Sequence, residues 1–178
     1  SYEPSFLRQF ATVITCDRNV VHRNVIFSQQ SLPWHVGRVF RDGETVGFSK
    51  DYDELSGITR FEKDRVISVI TSSKNFTPGH AQRLEFTRRL GERLGAQIDV
   101  FGRGTHDIED KWDGIARYKY HVVLENSRNT DYWTEKLADA YLGGAYPFYH
   151  GCPNLSDYFP KEAFTAINIS DIDATVDL

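Results

Sequence analysis

The sequence predicts an α/β domain built on a doubly wound parallel sheet, and three observations carry that prediction. Tyr118–Leu124 is a strand-like run rich in aromatic and β-branched residues. A polar loop over 125–130, a helical stretch from about Asp131 and a short strand at Tyr146–Tyr149 follow it without interruption. Upstream, Val66–Thr71 is a largely apolar run suited to a central strand, and a polar loop and a helical pattern follow it in the same way. Strand, loop, helix, strand is the unit of a parallel sheet, because parallel neighbours need a long crossover. Ligands of such sheets collect where a strand gives way to a helix.

Taken in order, Pro4–Phe10 reads as a short helix, and Thr12–Cys16 and Asn24–Ser28 read as strands. Residues 29–37 form a stiff, turn-like stretch around Pro33 and Trp34. From 38 to 61 the pattern dissolves into Gly43, Gly47 and Gly57 among Asp42, Asp51 and Asp53, which reads as a linker or outer loop. Order returns with Val66–Thr71. Ser72–Gly79 is a polar loop, and His80–Leu94 is a helix burying Leu84, Thr87, Leu90 and Leu94. Gln97–Phe101 is the next strand, the residues at 102–104 a tight loop, and Lys111–Arg117 a short helix before the central strand. The helix from about Asp131 presents Trp133, Leu137, Ala140 and Tyr141 on one face and stops at Gly143 and Gly144. Phe164–Ile169 is a final strand. The order β-α-β-α-β-α-β-β makes this a Rossmann-like sheet. The chain divides into 1–60, a remnant of a preceding domain or a linker, and 61–178, the sheet domain.

With 178 residues there is room for one well-cored domain. A net charge of −4 and a pI near 5.8 exclude a general nucleic-acid or anionic-membrane surface, so any phosphate binding is local. The six histidines are scattered singly, and Cys16 and Cys152 form no Cys-x-x-Cys pair, so no metal site is implied. No apolar run approaches the roughly 20 residues that span a bilayer. The chain contains no Met and starts at Ser1, so it is expected to be a piece of a longer protein. The N-x-S/T sequons at Asn75, Asn154 and Asn168 read as chance matches.

The loop after the central strand is chemically loaded. Thr130 or Asp131 can cap the helix, whose first-turn amides attract phosphate. Glu135 and Lys136 follow: an ammonium can meet a diphosphate, and a carboxylate can accept two sugar hydroxyls. The plainer alternative is that both are solvated helix residues and Asn126 a turn residue. In the earlier helix Arg88, Arg89 and Arg93 read as the solvated face, whereas Arg83 lies near its first turn, within reach of a diphosphate at the sheet edge.

The run E-N-S-x-x-x-D-Y-x-T-E-K, carried by Glu125, Asn126, Ser127, Asp131, Tyr132, Thr134, Glu135 and Lys136, leads into A-x-x-G-G-A-x-P-x-x-x-G. The second run spans Ala140, Gly144, Pro147 and Gly151. Together they resemble the signature of the family 10 fucosyltransferases. The resemblance covers Val66–Ile169 well and 1–61 faintly, through Leu-Pro-Trp at 32–34. Leu124 departs from it, since many members carry an aromatic residue there.

What the resemblance implies is the donor half of a GT-B glycosyltransferase that moves L-fucose from GDP-fucose to a hydroxyl of an N-acetylglucosamine or glucose unit, through α-1,3 or α-1,4 linkage and with inversion. No cofactor and no obligatory metal are expected. Arg83 and Lys136 would neutralise the diphosphate, Glu135 would hold the ribose, and Asn126 and Tyr132 would line the fucose and phosphate region. Ser73 and the 101–103 turn would flank the nucleotide, and Glu125 would do structural or donor-side work. The base belongs, in the family, to the amino-terminal acceptor domain; with only Glu3 and Glu125 as loose candidates, it is expected outside this chain. The implied partners are GDP-fucose and an oligosaccharide acceptor, with no nucleic acid, and peripheral membrane association through parts not in this chain. Few cysteines favour a bacterial-type location, cytoplasmic or on the cytoplasmic membrane face, over the Golgi lumen. The alternatives are another GDP- or UDP-sugar as donor, or a non-catalytic nucleotide-sugar-binding module.

Overall fold

The computed structural model describes residues 3–72, 78–102 and 104–178. Its elements are α1 (Pro4–Leu7), β1 (Val13–Thr15), β2 (Val25–Phe27), β3 (Arg38–Arg41), β4 (Glu44–Phe48), α2 (Tyr52–Ser56), β5 (Arg65–Ile70), α3 (Pro78–Leu94), β6 (Ile98–Phe101), β7 (Tyr118–Leu124), α4 (Glu135–Leu142), β8 (Tyr146–His150), β9 (Thr165–Ala166) and α5 (Ile172–Val176). The main sheet has the order β6-β5-β7-β8-β9, and every pairing in it is parallel. The chain runs from β5 outward to β6 and then back across β5 to β7. That reversal places a crevice at the carboxyl ends of β5 and β7.

Strand alternation sends Val122 to one face and Val123 to the other. On the first face Val69, Val122 and Leu124 meet Phe86 and Leu90 of α3 and Ile172 of α5. On the second, Val123 and Tyr149 meet Leu137 and Ala140 of α4 together with Leu155. Helices therefore cover both faces, as the apolar strands require. Full burial of a side chain such as Val69 or Leu137 contributes about 1.5–3 kcal/mol. A third cluster joins Val36 and Leu55 to Ile115 and Ala145 and carries the amino-terminal segment.

Several expectations are corrected. The stretch read as a linker at 38–61 holds the antiparallel hairpin β3–β4 and the helix α2. Asp42 (φ 50°) and Gly43 (φ 86°) both adopt left-handed backbone, the geometry of a two-residue Asp-Gly hairpin turn. Lys111–Arg117 forms turns and no helix. The final strand is only Thr165–Ala166. The buried stripe of α3 runs through Arg83, Phe86, Thr87 and Leu90, with Leu84 only half-buried. The helix expected from Asp131 starts four residues later, at Glu135. Asp131 has φ 62°, a left-handed conformation incompatible with a right-handed helix, and the cap is Thr134 rather than Thr130 or Asp131.

Candidate functional site

Above the crevice lies a cleft of about 690 Å³, lined by Thr71 and Ser72 after β5, by Arg83 of α3, by Asn126 after β7, and by Glu135, Lys136 and Asp139 of α4. His35, Arg38 and Lys111 close it from the side. Another recess, of about 370 Å³, lies between the opposite ends of the strands and α5 and is mostly apolar. Only the first combines the switch point with convergent charge.

The loop from β7 to α4 is shaped by two carboxylates. Glu125, 2% exposed, accepts from the Thr134 backbone N–H at 2.8 Å and from the Thr134 hydroxyl at 2.7 Å. Burial pushes its carboxyl pKa up, while Lys136 at 3.5 Å and the Thr134 donors pull it back. Gly151 faces it: a Cβ there would lie 2.5 Å from Glu125 Cγ, so the residue has no room for a side chain. Asp131 is the second anchor. Its side chain accepts from Asn154 at 2.8 Å and Tyr158 at 2.9 Å and pairs with Arg18. Those hydrogen bonds hold its carboxyl below the usual carboxylate range. Asn154, one of the sequons, is committed to this network.

Arg83 is 6% exposed. One amino group donates to Asn126 Oδ1 at 2.8 Å and to the Leu124 carbonyl at 3.4 Å, while its buried Nε has no partner among the described residues. Desolvation lowers its pKa. A guanidinium has five donors and no acceptor, so donors left without a partner in a cleft suit an anion. Lys136 donates to Thr134 Oγ1 at 3.1 Å and pairs with Glu135 at 3.2 Å. Glu135 sits in the first turn of α4, where the helix dipole favours its charge. Lys136 and Lys111 outweigh burial and keep its pKa low.

In and behind the cleft wall lie groups that the sequence reading missed. His121 on β7 and Ser68 on β5 are register partners, joined through Nδ1 and Oγ at 2.8 Å. Burial pushes the His121 pKa down to about 3, so it is neutral. Asp139, 1% exposed, accepts from the backbone N–H groups of His35 and Val36 at 2.6 and 3.0 Å and from Lys111 Nζ at 2.6 Å. Asp110 accepts the next amide, Gly37 N–H, at 2.9 Å, and that of Trp112 at 2.9 Å. Helical spacing on α4 could have shown Asp139 one turn after Glu135; nothing in the local pattern points to Lys111 or His35.

Of the residues singled out from sequence, Arg83, Asn126, Glu135 and Lys136 line one cleft, and Glu125 lies behind them as an anchor. Tyr132 is half-buried beside the same charges but is not part of the cleft wall. Ser73 lies outside the described residues, as do Asn75 and Arg103. The two Asp-x-Asp triplets, 51–53 and 171–173, are helix caps: Asp51 accepts from Glu54 N–H and Asp171 from Ala174 N–H. Among the described residues no group of three or more His, Cys, Asp or Glu could hold a metal ion, and no helix is long and apolar enough to cross a membrane.

A family model described as "Glycosyltransferase family 10 (fucosyltransferase) C-term" matches residues 61–177. The chain is 36% identical over 94 residues to alpha-(1,3)-fucosyltransferase 4 of Bos taurus, a match covering 48% of this chain and 23% of that one. It is 29% identical over 73 residues to alpha-(1,3)-fucosyltransferase FucT of Helicobacter pylori, covering 40% and 15%. The chain thus spans a third or less of the relatives it matches. Among solved structures, an alpha1,3-fucosyltransferase with GDP superposes with a TM-score of 0.53 at 23% identity, covering 64% of this chain and 33% of that one. The same enzyme class with GDP-fucose gives 0.51 at 21%, covering 64% and 34%. These superpositions establish a shared fold.

Proposed function

The chain belongs to glycosyltransferase family 10, the fucosyltransferases, and on that premise we propose that it is the donor-binding part of an enzyme that transfers L-fucose from GDP-fucose to a glycan. The observation that carries the reading is Arg83, a buried guanidinium whose Nε has no partner among the described residues, in the wall of the cleft that also holds Lys136. Arg83 and Lys136 take the diphosphate, Glu135 takes the ribose hydroxyls, and Asn126 holds Arg83 in place. Tyr132 stands at the sugar-phosphate end. Glu125 shapes the loop and touches no substrate. Residues 61–178 form the nucleotide-sugar unit and 1–60 belong to the acceptor side.

In the proposed reaction an N-acetylglucosamine or glucose hydroxyl oxygen forms a bond to fucose C1 as the bond from C1 to the phosphate oxygen breaks, with inversion and α-1,3 or α-1,4 linkage. GDP leaves with the electron pair, and the hydroxyl proton passes to a carboxylate supplied by the acceptor-binding half. Charge builds on the departing diphosphate, so fixed cations there lower the barrier without a metal. Cys16 and Cys152 are both free, which suits a reducing compartment and a bacterial-type location on or near the cytoplasmic membrane face.

Calorimetric titration with GDP, GDP-fucose, GDP-mannose and UDP, with and without EDTA, tests the reading. Guanine-selective, EDTA-insensitive binding is expected, and Lys136→Ala should weaken it by about 1–3 kcal/mol. Binding of none of the four nucleotides would refute the donor site.

A further inference from the structure

Glu135 and Asp139 stand one turn apart on α4, so two carboxylates face the same side of one helix. Such a pair repels unless a cation lies between the two. Lys111 fills that place: its Nζ is 2.6 Å from Asp139 Oδ2 and 3.8 Å from Glu135 Oε1. The other contacts of the Glu135 carboxylate fall on the same oxygen, Lys136 Nζ at 3.2 Å and His35 Nδ1 at 3.9 Å. Among the described residues no hydrogen bond reaches Oε2. The hydrogen bond and the short ion-pair distances of Glu135 thus gather on Oε1, and the residue lines the cleft.

We propose that Lys111, itself held by Asp139, is a positioning residue that fixes Glu135 so that its second oxygen, Oε2, reads the ribose hydroxyls of the donor nucleotide. The proposal rests on the donor-site reading above. Asp139 has both oxygens committed: Oδ1 takes the His35 and Val36 amides and Oδ2 takes Lys111. Lys111 is thus tied to the segment that carries His35 into the cleft, and the geometry around Glu135 is set by two parts of the chain together. A lysine ammonium donates in three directions, so it can serve Asp139 and steer Glu135 at once.

The experiment compares the affinity of the chain for GDP and for 2′,3′-dideoxy-GDP, which lacks the ribose hydroxyls. The unaltered chain should prefer GDP by about ten- to hundredfold, the range for a charge-assisted hydrogen bond. Glu135→Gln should shrink that preference to near unity, and Lys111→Met should shrink it as far. The double variant should lose nothing more, since both act through one carboxylate. If Lys111→Met does not fold, Lys111→Arg and Lys111→Gln decide: the charge-keeping Arg should retain the preference and Gln should lose it.

A preference left intact in Lys111→Met, or equal in the Arg and Gln variants, overturns the proposal. So does a variant that weakens both nucleotides by the same factor, because that marks a direct or general charge effect. An unaltered chain that binds GDP without preferring it refutes the ribose role of Glu135 and, with it, the proposal. A chain that binds neither nucleotide refutes the donor site itself.

Discussion

The sheet region and the amino-terminal region are held together by different physics. Beyond residue 61, strands and helices bury Val69, Val122, Val123, Leu137 and Ala140 almost completely. Before it, two small ribbons, β1–β2 and β3–β4, have no comparable core. Eleven of the fourteen exposed large hydrophobics among the described residues lie between Phe6 and Tyr52, so apolar burial is not the main source of order there. Beside the cluster of Val36 and Leu55 with Ile115 and Ala145, a set of directed polar contacts fastens that region to the sheet: Asp139 and Asp110 on three consecutive amides, Arg18 with Asp131, and Tyr158 OH accepting from Gln29 N–H at 3.1 Å. The comparison teaches that a buried carboxylate on the sheet side can supplement a small apolar cluster where a segment lacks a core of its own.

Cutting one fastening should break the contrast most visibly. Asp139→Ala leaves the His35 and Val36 amides and Lys111 without their acceptor, and losing one member of a buried pair costs about 3–5 kcal/mol. Urea denaturation should register that loss. Amide exchange should accelerate at 35–37 while β5, β7 and β8 stay protected.

A polar group that serves binding rather than stability should respond in the opposite way. Arg83→Met is expected to weaken GDP binding by about 1.5–3 kcal/mol, the range for a hydrogen bond to a charged group. The melting temperature should hold or rise, because a desolvated, incompletely paired cation is removed. A falling melting temperature with unchanged GDP affinity would reassign Arg83 to the fold.

Acid sharpens the comparison further. His121 is neutral in the folded chain down to about pH 3, whereas the unfolded chain binds its proton near 6.5. Between those values the unfolded state carries more protons, so the contribution is full above pH 6.5 and declines as pH falls toward 3. At roughly 1.4 kcal/mol per pH unit the group should withdraw about 2 kcal/mol by pH 5. His121→Asn should flatten the slope of stability against pH in that window. The smallest effect is expected at Arg41, whose pair with Glu109 is fully solvated; Arg41→Ala should leave the urea midpoint unchanged.

Legibility followed the range of the interaction that fixes each feature. The strands at 65–70, 98–101 and 118–124 and the helix after 78 follow from local periodicity, which is written residue by residue. The hairpin at 38–48 was locally legible too, in Asp42-Gly43, but its weak periodicity hid it. The start of α4 was not: Asp131 takes a left-handed backbone because Arg18, Asn154 and Tyr158 hold its side chain, and these lie far along the chain. The same holds for the segment at 111–117, which forms turns where a helix was expected.

In the cleft wall, the motif pointed to Asn126, Glu135 and Lys136, and helix position together with the family resemblance pointed to Arg83, because residue type and spacing in one stretch encode them. The sequence also determined the α/β class and the acidic net charge of the chain. Only the tertiary structure decided that Glu125 is a buried anchor, that Asp139 clamps His35–Val36, and that Lys111 and His121 share the cleft. Except for Glu125, whose partner Thr134 is nine residues on, those roles come from groups meeting across separations of 28 residues and more, where burial removes water and makes each surviving partner decisive.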